Sequence, residues 1–158
     1  KYVDDIVCVS EDEIAAAILA LIEKQKLIAE GAGAVPVAAA MFHKLPIEGK
    51  KTVCVVSGGN IDVNILSRVI TRGLMMTGRN VNLTIELVDK PGQLQQVSEI
   101  IAGCGANVVS VYYDHGDTNM AINSCFLKLA LETRDAEQIE AIKQELCKAG
   151  FRIVTERV

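Results

Sequence analysis

The feature that most constrains the fold is a regular alternation of strand and helix patterns between residues 81 and 158. Residues 82–88 alternate apolar and polar side chains, which predicts a strand, and a stripe of apolar residues at helical spacing follows them. Gly103 and Gly105 are predicted to end that helix, and residues 107–114 predict the next strand. These patterns predict a first β-α-β unit.

The same order of elements then repeats. Residues 122–133 predict a third strand, Asp135 is a suitable N-cap for a second helix, and Gly150 is a suitable end for it. Residues 151–158 supply a fourth strand. Because two β-α-β units joined by a hairpin make a β-α-β-β-α-β domain, we predict an α+β ferredoxin-like sandwich. In this fold two helices cover a four-stranded antiparallel sheet.

Residues 1–80 have a different sequence pattern. Two short apolar runs, 5–10 and 51–57, predict strands. Ser10 followed by Glu13 predicts a capping box for a helix between them. Strands that are apolar throughout need covering on both faces, and the few helices of this segment cannot cover a whole sheet. We therefore expect an α/β remnant that forms the C-terminal portion of a larger domain.

Three helices are predicted within this first segment. The first should end near Glu30, because Gly31 and Gly33 follow it. An alanine-rich second helix is predicted over 35–44, and a third over 63–76, where apolar residues recur at helical spacing.

Charge and hydropathy exclude several classes of partner. The net charge is −4, with 9 Lys and Arg against 9 Asp and Glu in residues 1–80, and 7 against 11 in residues 81–158. Neither half offers the basic surface that nucleic-acid binding needs, and Phe126 is the one aromatic residue of the third strand on which a base could stack. No apolar run approaches the roughly 18 residues of a membrane span. We expect no nucleic acid and no membrane as partners.

The cysteines and histidines predict no metal site, because no CxxC pair and no histidine at zinc-ligand spacing occurs. Of the five cysteines, Cys8, Cys54 and Cys125 lie in apolar runs and are predicted to be buried as small hydrophobic residues. An odd number of cysteines without a signal peptide favours a reducing cytoplasm. His43 and His115 are predicted to be solvated or capping residues.

The turn VDKPGQL, residues 88–94, and the later segment GANVVSV, residues 105–111, carry a more specific signal. Together with the helix between them they resemble the ACT domain, an amino-acid-sensing module of metabolic enzymes, over residues 81–158. The chemistry of the turn agrees, because Gly92 lacks a Cβ and the free N–H groups of the following helix suit a carboxylate.

By this resemblance the effector lies between the turn of one domain and the second strand of a neighbouring domain. Asp89 is then expected to meet the α-ammonium group, with Gly92, Gln93 and Leu94 lining the pocket, and Asn107 is expected to form hydrogen bonds. The family implies isoleucine or valine as effector. It also implies a homo-oligomer formed through the ACT domains, since their exposed sheet edges need covering.

The first half resembles a different family. SEDEIAAAILALIEKQKLIAEGAGAVPVAAA, residues 10–40, followed by VCVVSGGNID, residues 53–62, is similar to the C-terminal portion of the catalytic domain of threonine dehydratases. These are pyridoxal-phosphate enzymes with the tryptophan-synthase β fold. The resemblance implies domains at 1–80, the C-terminal portion of the catalytic domain, and at 81–158, the ACT domain.

The family also implies a cofactor site. The Ser57 hydroxyl is expected to face the pyridine nitrogen of pyridoxal phosphate, with Gly58 in the same turn, and Glu30 with Gly31 is expected to border the ring. The lysine that bonds covalently to the cofactor and the glycine-rich loop that binds its phosphate have no counterpart in this sequence. We therefore expect no catalytic residue in this chain, and no retention of the cofactor by this chain alone.

These resemblances predict a regulatory fragment of an enzyme that converts L-threonine to 2-oxobutanoate and ammonia. Two alternatives share the same residues. One is an ACT-type amino-acid sensor or scaffold that stands alone, and the other is a fragment of a related serine dehydratase or racemase.

Overall fold

The computed structural model describes residues 2–115 and 123–154. The chain forms two compact units, Lys1–Thr77 and Gly78–Val158, which are described separately. Within the described ranges, no helix combines the length and the hydropathy needed to cross a membrane.

The first unit is built from three α-helices. They are α1 (Glu11–Ala20), which continues as a π-helical turn over Leu21–Gln25, α2 (Gly31–Met41) and α3 (Val63–Met76). Helix α1 packs against both other helices. The buried residues at the centre are mostly small, which allows the helices to approach closely. They are Ala17, Ile18, Leu21, Ala29, Ala34 and Ala38.

The start of α1 confirms the predicted capping box. The Glu13 backbone N–H donates to the Ser10 hydroxyl at 3.2 Å, and the Ser10 backbone N–H donates to the Glu13 carboxylate at 2.8 Å. The predicted end near Glu30 is wrong, because the helical segment ends at Gln25. Lys26 adopts a left-handed conformation with φ of 58°, and its N–H closes the π-helical turn on the carbonyl of Leu21.

The glycines that were predicted to end the first helix instead form the first turn of α2, which begins at Gly31. Glycine weakens a helix without forbidding it, so close packing at Gly33 can outweigh its low propensity. Helix α3 confirms the predicted range of 63–76. Its N-cap is Asp62, whose carboxylate accepts hydrogen bonds from two backbone N–H groups of the first turn.

Residues 5–10 and 51–57 were predicted as strands, and this prediction is wrong for the structure, where neither forms one. Their apolar side chains are largely exposed, with Val53 at 88%. Cys8 is also exposed, against the prediction that it is buried, and Cys54 is half-buried. A strand needs a neighbouring strand to satisfy its backbone N–H and C=O groups, and the described part of this unit provides none.

The second unit has the predicted β-α-β-β-α-β order. Its elements are β1 (Asn80–Val88), α4 (Gln93–Gly103), β2 (Asn107–Asp114), β3 (Ser124–Glu132), α5 (Ala136–Lys148) and β4 (Arg152–Val154). The strands form one four-stranded sheet in the order β2-β3-β1-β4, with every neighbouring pair antiparallel. Residues 116–122 and 155–158, which include the ends of the predicted third and fourth strands, lie outside the described residues.

The core of the second unit lies between one face of the sheet and the two helices. Strands β1 and β3 pair without interruption from Asn80 opposite Glu132 to Val88 opposite Ser124. Because alternate residues of a strand face opposite sides, this register places one apolar row of each strand on the helix side. The buried residues are Leu83, Ile85 and Leu87 of β1, Cys125, Leu127, Leu129 and Leu131 of β3, Val97 and Ile101 of α4, Ile142 and Leu146 of α5, and Phe151, which precedes β4.

The start of α5 confirms Asp135 as its N-cap. The Asp135 carboxylate accepts the backbone N–H of Gln138 at 2.8 Å and a guanidinium N–H of Arg134 at 2.7 Å. These hydrogen bonds, with Arg134 the larger contributor, lower the pKa of Asp135. The buried Gln138 amide then donates to the carbonyl of Cys104 at 2.8 Å, which ties the start of α5 to the end of α4.

Substitution of Ile142 tests this core. Ile142 is fully buried, so Ile142→Ala is expected to lower the free energy of unfolding of the second unit by about 2–5 kcal/mol, because it removes buried apolar groups and leaves a cavity. The control is Val109→Ala, at a side chain that is 59% exposed, where a change within about 0.5 kcal/mol is expected. Urea denaturation followed by circular dichroism measures both values. Equal effects would contradict this assignment of the core.

Candidate functional sites

The first candidate site is formed where two turns of the first unit touch. The backbone N–H of Glu30, the N-cap of α2, donates to the carbonyl of Gly58 at 3.1 Å. Gly58 has φ of +72°, and a Cβ at this position would lie 2.5 Å from the carboxylate oxygen of Glu30. The positive φ favours glycine at this position, and the hydrogen bond holds the two turns in direct contact.

Gly33 brings the backbone of the same turn even closer to α2. A Cβ on Gly33 would lie 1.7 Å from the carbonyl oxygen of Ser57, a backbone atom that cannot rotate away. A Cβ on Gly31 would meet only the side chain of Ile14, at an ordinary contact distance of 3.9 Å. Of the four residues that the sequence predicted for the cofactor, the structure therefore brings Glu30 against Gly58, while Gly33 approaches Ser57 and Gly31 follows Glu30 at the start of α2.

The second candidate site is the turn between β1 and α4. The exposed Asp89 is anchored by its backbone N–H, which donates to the carbonyl of Asn123 at 2.8 Å. Gly92 is the N-cap of α4 with φ of +90°, and a Cβ placed on it would meet no atom within 4 Å. The space beside Gly92 is therefore open to a ligand.

Two further predicted residues follow in the first turn of α4. The Gln93 side-chain amide donates to the side-chain oxygen of Gln96 at 3.3 Å, and Leu94 packs against the core. Gln93 and Leu94 are both half-buried. They would present one polar and one apolar surface to a ligand beside the turn.

Asn107 lies at the opposite end of the sheet. It is the first residue of β2, it pairs with Glu132, and its side-chain amide donates to the Glu132 carboxylate at 3.0 Å. Glu132 is in turn level with Asn80, where β1 begins, whereas Asp89 follows the end of β1. Eight residue steps at about 3.3 Å each separate the two ends by about 26 Å. One copy of the chain therefore does not bring Asn107 to the turn.

A third group of side chains was not predicted as a site. The carboxylate of Asp89, a ring nitrogen of His115 and the sulfur of Cys125 all lie within 4.8 Å of one another. Nε2 of His115 lies 3.4 Å from a carboxylate oxygen of Asp89, and the His115 ring stacks on Tyr113 with ring centroids 6.0 Å apart. Burial, and then the negative charge of Asp89, raise the pKa of the Cys125 thiol.

Spacing along the chain could not reveal this group, because the three residues belong to three separate segments. His115 was predicted to be solvated or capping, and its side chain is exposed as predicted but also has two specific partners. The pairing of β1, β2 and β3 is the feature that could have indicated this group. It brings the end of β1, the end of β2 and the start of β3 to one corner of the sheet.

Comparison with known proteins matches the segment that contains the first of these sites to a family. Residues 1–59 match the family described as "Pyridoxal-phosphate dependent enzyme". The first unit is therefore similar to pyridoxal-phosphate dependent enzymes, as its sequence predicted, and these matches indicate pyridoxal phosphate as the cofactor of an intact parent.

Similarity over nearly the whole chain identifies the particular relatives. An L-threonine ammonia-lyase of Thermotoga maritima is 45% identical over 97% of this chain, and one of Geobacter sulfurreducens is 42% identical over 96%. A protein of Halalkalibacterium halodurans named "L-threonine dehydratase biosynthetic IlvA" is 31% identical over 96%. These relatives confirm the predicted resemblance to threonine dehydratases. The chain spans 38%, 38% and 36% of their respective lengths.

Among solved structures, the X-ray structure of prephenate dehydratase from Streptococcus mutans covers 48% of this chain and 39% of its own, with a TM-score of 0.41 and 16% identity. This likeness is too weak to inform the fold.

The contacts of the first unit fit the cofactor that the family implies. The close approach of Gly33 holds the backbone of Ser57 in place. Because Ser57 is exposed, its hydroxyl is accessible to a ring nitrogen of the cofactor. The half-buried Glu30 side chain lies directly against Gly58. The residues present therefore suit one wall of a pyridoxal-phosphate pocket.

Gly33→Ala tests whether the close backbone contact positions this wall. The new methyl group would overlap the Ser57 carbonyl, so we expect the Glu30 amide to exchange hydrogen faster and the unit to lose at least about 1 kcal/mol of stability. Gly31→Ala is the matched control two residues earlier in the same helix. Because it has room for its methyl group and gains helix propensity, it is expected to be neutral or stabilising.

Amide hydrogen exchange by NMR, together with urea denaturation, measures both variants. If Gly33→Ala and Gly31→Ala had the same effect on the Glu30 amide, the contact would not be what positions the turn.

Proposed function

We propose that the chain is the C-terminal part of a pyridoxal-phosphate dependent threonine dehydratase, in which the end of the catalytic domain is followed by a regulatory ACT domain. The observation that supports this most strongly is the similarity to L-threonine ammonia-lyases, which extends over 97% of this chain and so includes both units. The intact parent would convert L-threonine to 2-oxobutanoate and ammonia.

Within this proposal, residues 81–158 form a ferredoxin-like ACT domain. The β-α-β-β-α-β order, the antiparallel strand order β2-β3-β1-β4 and the two helices on one face support it. The left-handed Gly92 at the start of α4, beside open space, supports the turn as the place where a ligand binds. The effector is an amino acid, and isoleucine or valine is the choice that the family implies.

The turn offers groups that suit both charged ends of an amino acid. Asp89 presents an exposed carboxylate to an α-ammonium group, and the first N–H groups of α4 suit the α-carboxylate, because the helix dipole is positive there. Leu94 offers apolar contact and Gln93 offers a side-chain amide. The opposite charges of these groups favour a zwitterion over a simple anion.

A second copy of the chain completes the pocket in this proposal. Asn107 lies about 26 Å from the turn of its own chain, so the hydrogen bonds expected of it reach the effector only from a neighbouring copy. The outer strand β2, which begins with Asn107, has an unpaired edge in the described sheet. A homo-oligomer would cover such an edge and place the two half-sites together.

The first unit contributes binding and orientation to the parent's catalytic site. Pyridoxal phosphate, when bound by the intact enzyme, supplies the electron sink for loss of the substrate α-proton. Ser57 would hold the ring nitrogen by a neutral hydrogen bond, and Glu30 and Gly31 would border the ring. The lysine that bonds to the cofactor would come from the remainder of the parent.

Regulation would follow from a shift between two arrangements of the ACT domains. An effector that binds one arrangement more tightly favours it by the difference in binding free energy, and a catalytic domain coupled to that arrangement changes its activity accordingly. We further propose a cytoplasmic location, which the five free cysteines support.

Calorimetric titration with isoleucine, valine, serine and threonine tests the effector site. We expect isoleucine or valine to bind, and Asp89→Ala to weaken that binding about 10- to 100-fold, because a hydrogen bond between charged groups is lost. The matched control is Lys90→Ala, the neighbouring exposed residue in the same turn, which is expected to leave the affinity unchanged. Absence of heat with all four amino acids would contradict the proposal.

A further inference from the structure

The strand register places three metal-binding side chains at one corner of the second unit. Cys125 faces the core from β3, directly opposite Leu87 of β1. The backbone hydrogen bond from Asp89 to Asn123 extends this pairing by one step, so Asp89 points to the same side of the sheet as Leu87. On the other neighbouring strand, Asp114 pairs with Phe126, so His115 comes level with Cys125.

The spacing of these side chains is close to that of a tetrahedral metal site. Bonds of about 2.0–2.3 Å from zinc to nitrogen, oxygen and sulfur place tetrahedral ligand atoms about 3.3–3.7 Å apart. The nitrogen of His115 and the carboxylate oxygen of Asp89 are already 3.4 Å apart. All three ligand atoms lie within 4.8 Å of one another, so closing the site around a cation needs movements of about 1 Å.

Burial shows which side chains can make that movement. Cys125 is fully buried and held by the strand pairing, so its sulfur forms the fixed inner wall. The side chains of Asp89 and His115 are 57% and 55% exposed, so the small movement toward the sulfur falls to these two side chains. Stacking on Tyr113 orients the His115 ring while its Nε2 faces Asp89.

The donor set selects the class of cation. One sulfur, one imidazole nitrogen and one carboxylate oxygen suit a borderline-soft divalent ion such as Zn²⁺, whereas Mg²⁺ and Ca²⁺ prefer oxygen ligands alone. We propose that Asp89, His115 and Cys125 form a binding site for a divalent cation of the zinc class. The fourth coordination position faces solvent and is taken by water.

This site goes beyond the effector proposal and does not rest on it. The two share Asp89, but the metal site needs neither Asn107 nor a second copy of the chain. Metal binding is therefore measured without any amino acid, and its failure would leave the titration with isoleucine and valine unaffected.

Cobalt substitution provides the direct test, because Co²⁺ bound to thiolate absorbs in the near ultraviolet and tetrahedral Co²⁺ absorbs strongly in the visible. The full chain is stripped of metal with a chelator, desalted and titrated with Co²⁺. We expect one equivalent to bind with both absorptions, Zn²⁺ to displace it, and Mg²⁺ to leave the spectrum unchanged. Displacement by Mg²⁺ as effective as that by Zn²⁺ would overturn the proposal.

Variants with matched controls assign the ligands. Cys125→Ser is expected to abolish the thiolate absorption, and His115→Ala is expected to weaken Co²⁺ binding at least about 10-fold. The controls are Cys147→Ser and His43→Ala, which replace an exposed thiol and an exposed imidazole elsewhere in the chain. Both controls are expected to bind Co²⁺ as the unmodified chain does.

Three further results would overturn the proposal: an unmodified chain without the thiolate absorption, an absorption that survives Cys125→Ser, or one that is lost in Cys147→Ser. Circular dichroism establishes that each variant is folded. If Cys125→Ser fails to fold because the residue is buried, His115→Ala decides the question, since its exposed position leaves the core intact. Unchanged affinity in His115→Ala then contradicts the site.

Discussion

The uninterrupted antiparallel pairing of β1 with β3 is the constraint on which the second unit depends. It places the apolar rows of both strands toward the helices, and a shift of one residue would turn every one of those side chains to the opposite face. The same pairing decides what lies at each end of the sheet. Asp89 and Gly92 follow one end of β1, and Asn107 lies level with the other. The distance between the turn and Asn107 is therefore a property of the register.

The first unit depends on a different contact, the approach of the 57–58 backbone to the start of α2. Gly33 and Gly58 permit that approach, since a side chain on either would overlap atoms of the opposite turn. Residues 5–10 and 51–57 still carry the apolar sequence of buried strands but form none here. The chain spans 38% of the length of its Thermotoga maritima relative.

Signals that act within a few residues were readable from the sequence. The capping box of α1, the N-cap at Asp135, the range 63–76 and the order of elements in the second unit are of this kind. Features that depend on distant segments were not. The helical position of Gly33 follows from its packing against another turn, and strand formation depends on neighbouring strands. The proximity of Asp89, His115 and Cys125 follows from the register. The ligand roles of Ser57, Glu30, Asp89 and Asn107 remain predictions.

The shared effector pocket is tested most directly by mixing two defective variants. Asp89→Ala removes the half-site at the turn and Asn107→Ala removes the half-site on β2, so neither variant alone is expected to bind isoleucine or valine well. If two-fold dimers form at random from equal amounts of the two variants, about half of them are heterodimers. In each heterodimer one of the two pockets combines an intact Asp89 from one copy with an intact Asn107 from the other. Mixing therefore restores about one quarter of the original sites. Calorimetry in the presence of a chelator, which excludes any effect of metal, counts those sites. No recovery on mixing would contradict a pocket shared between two copies.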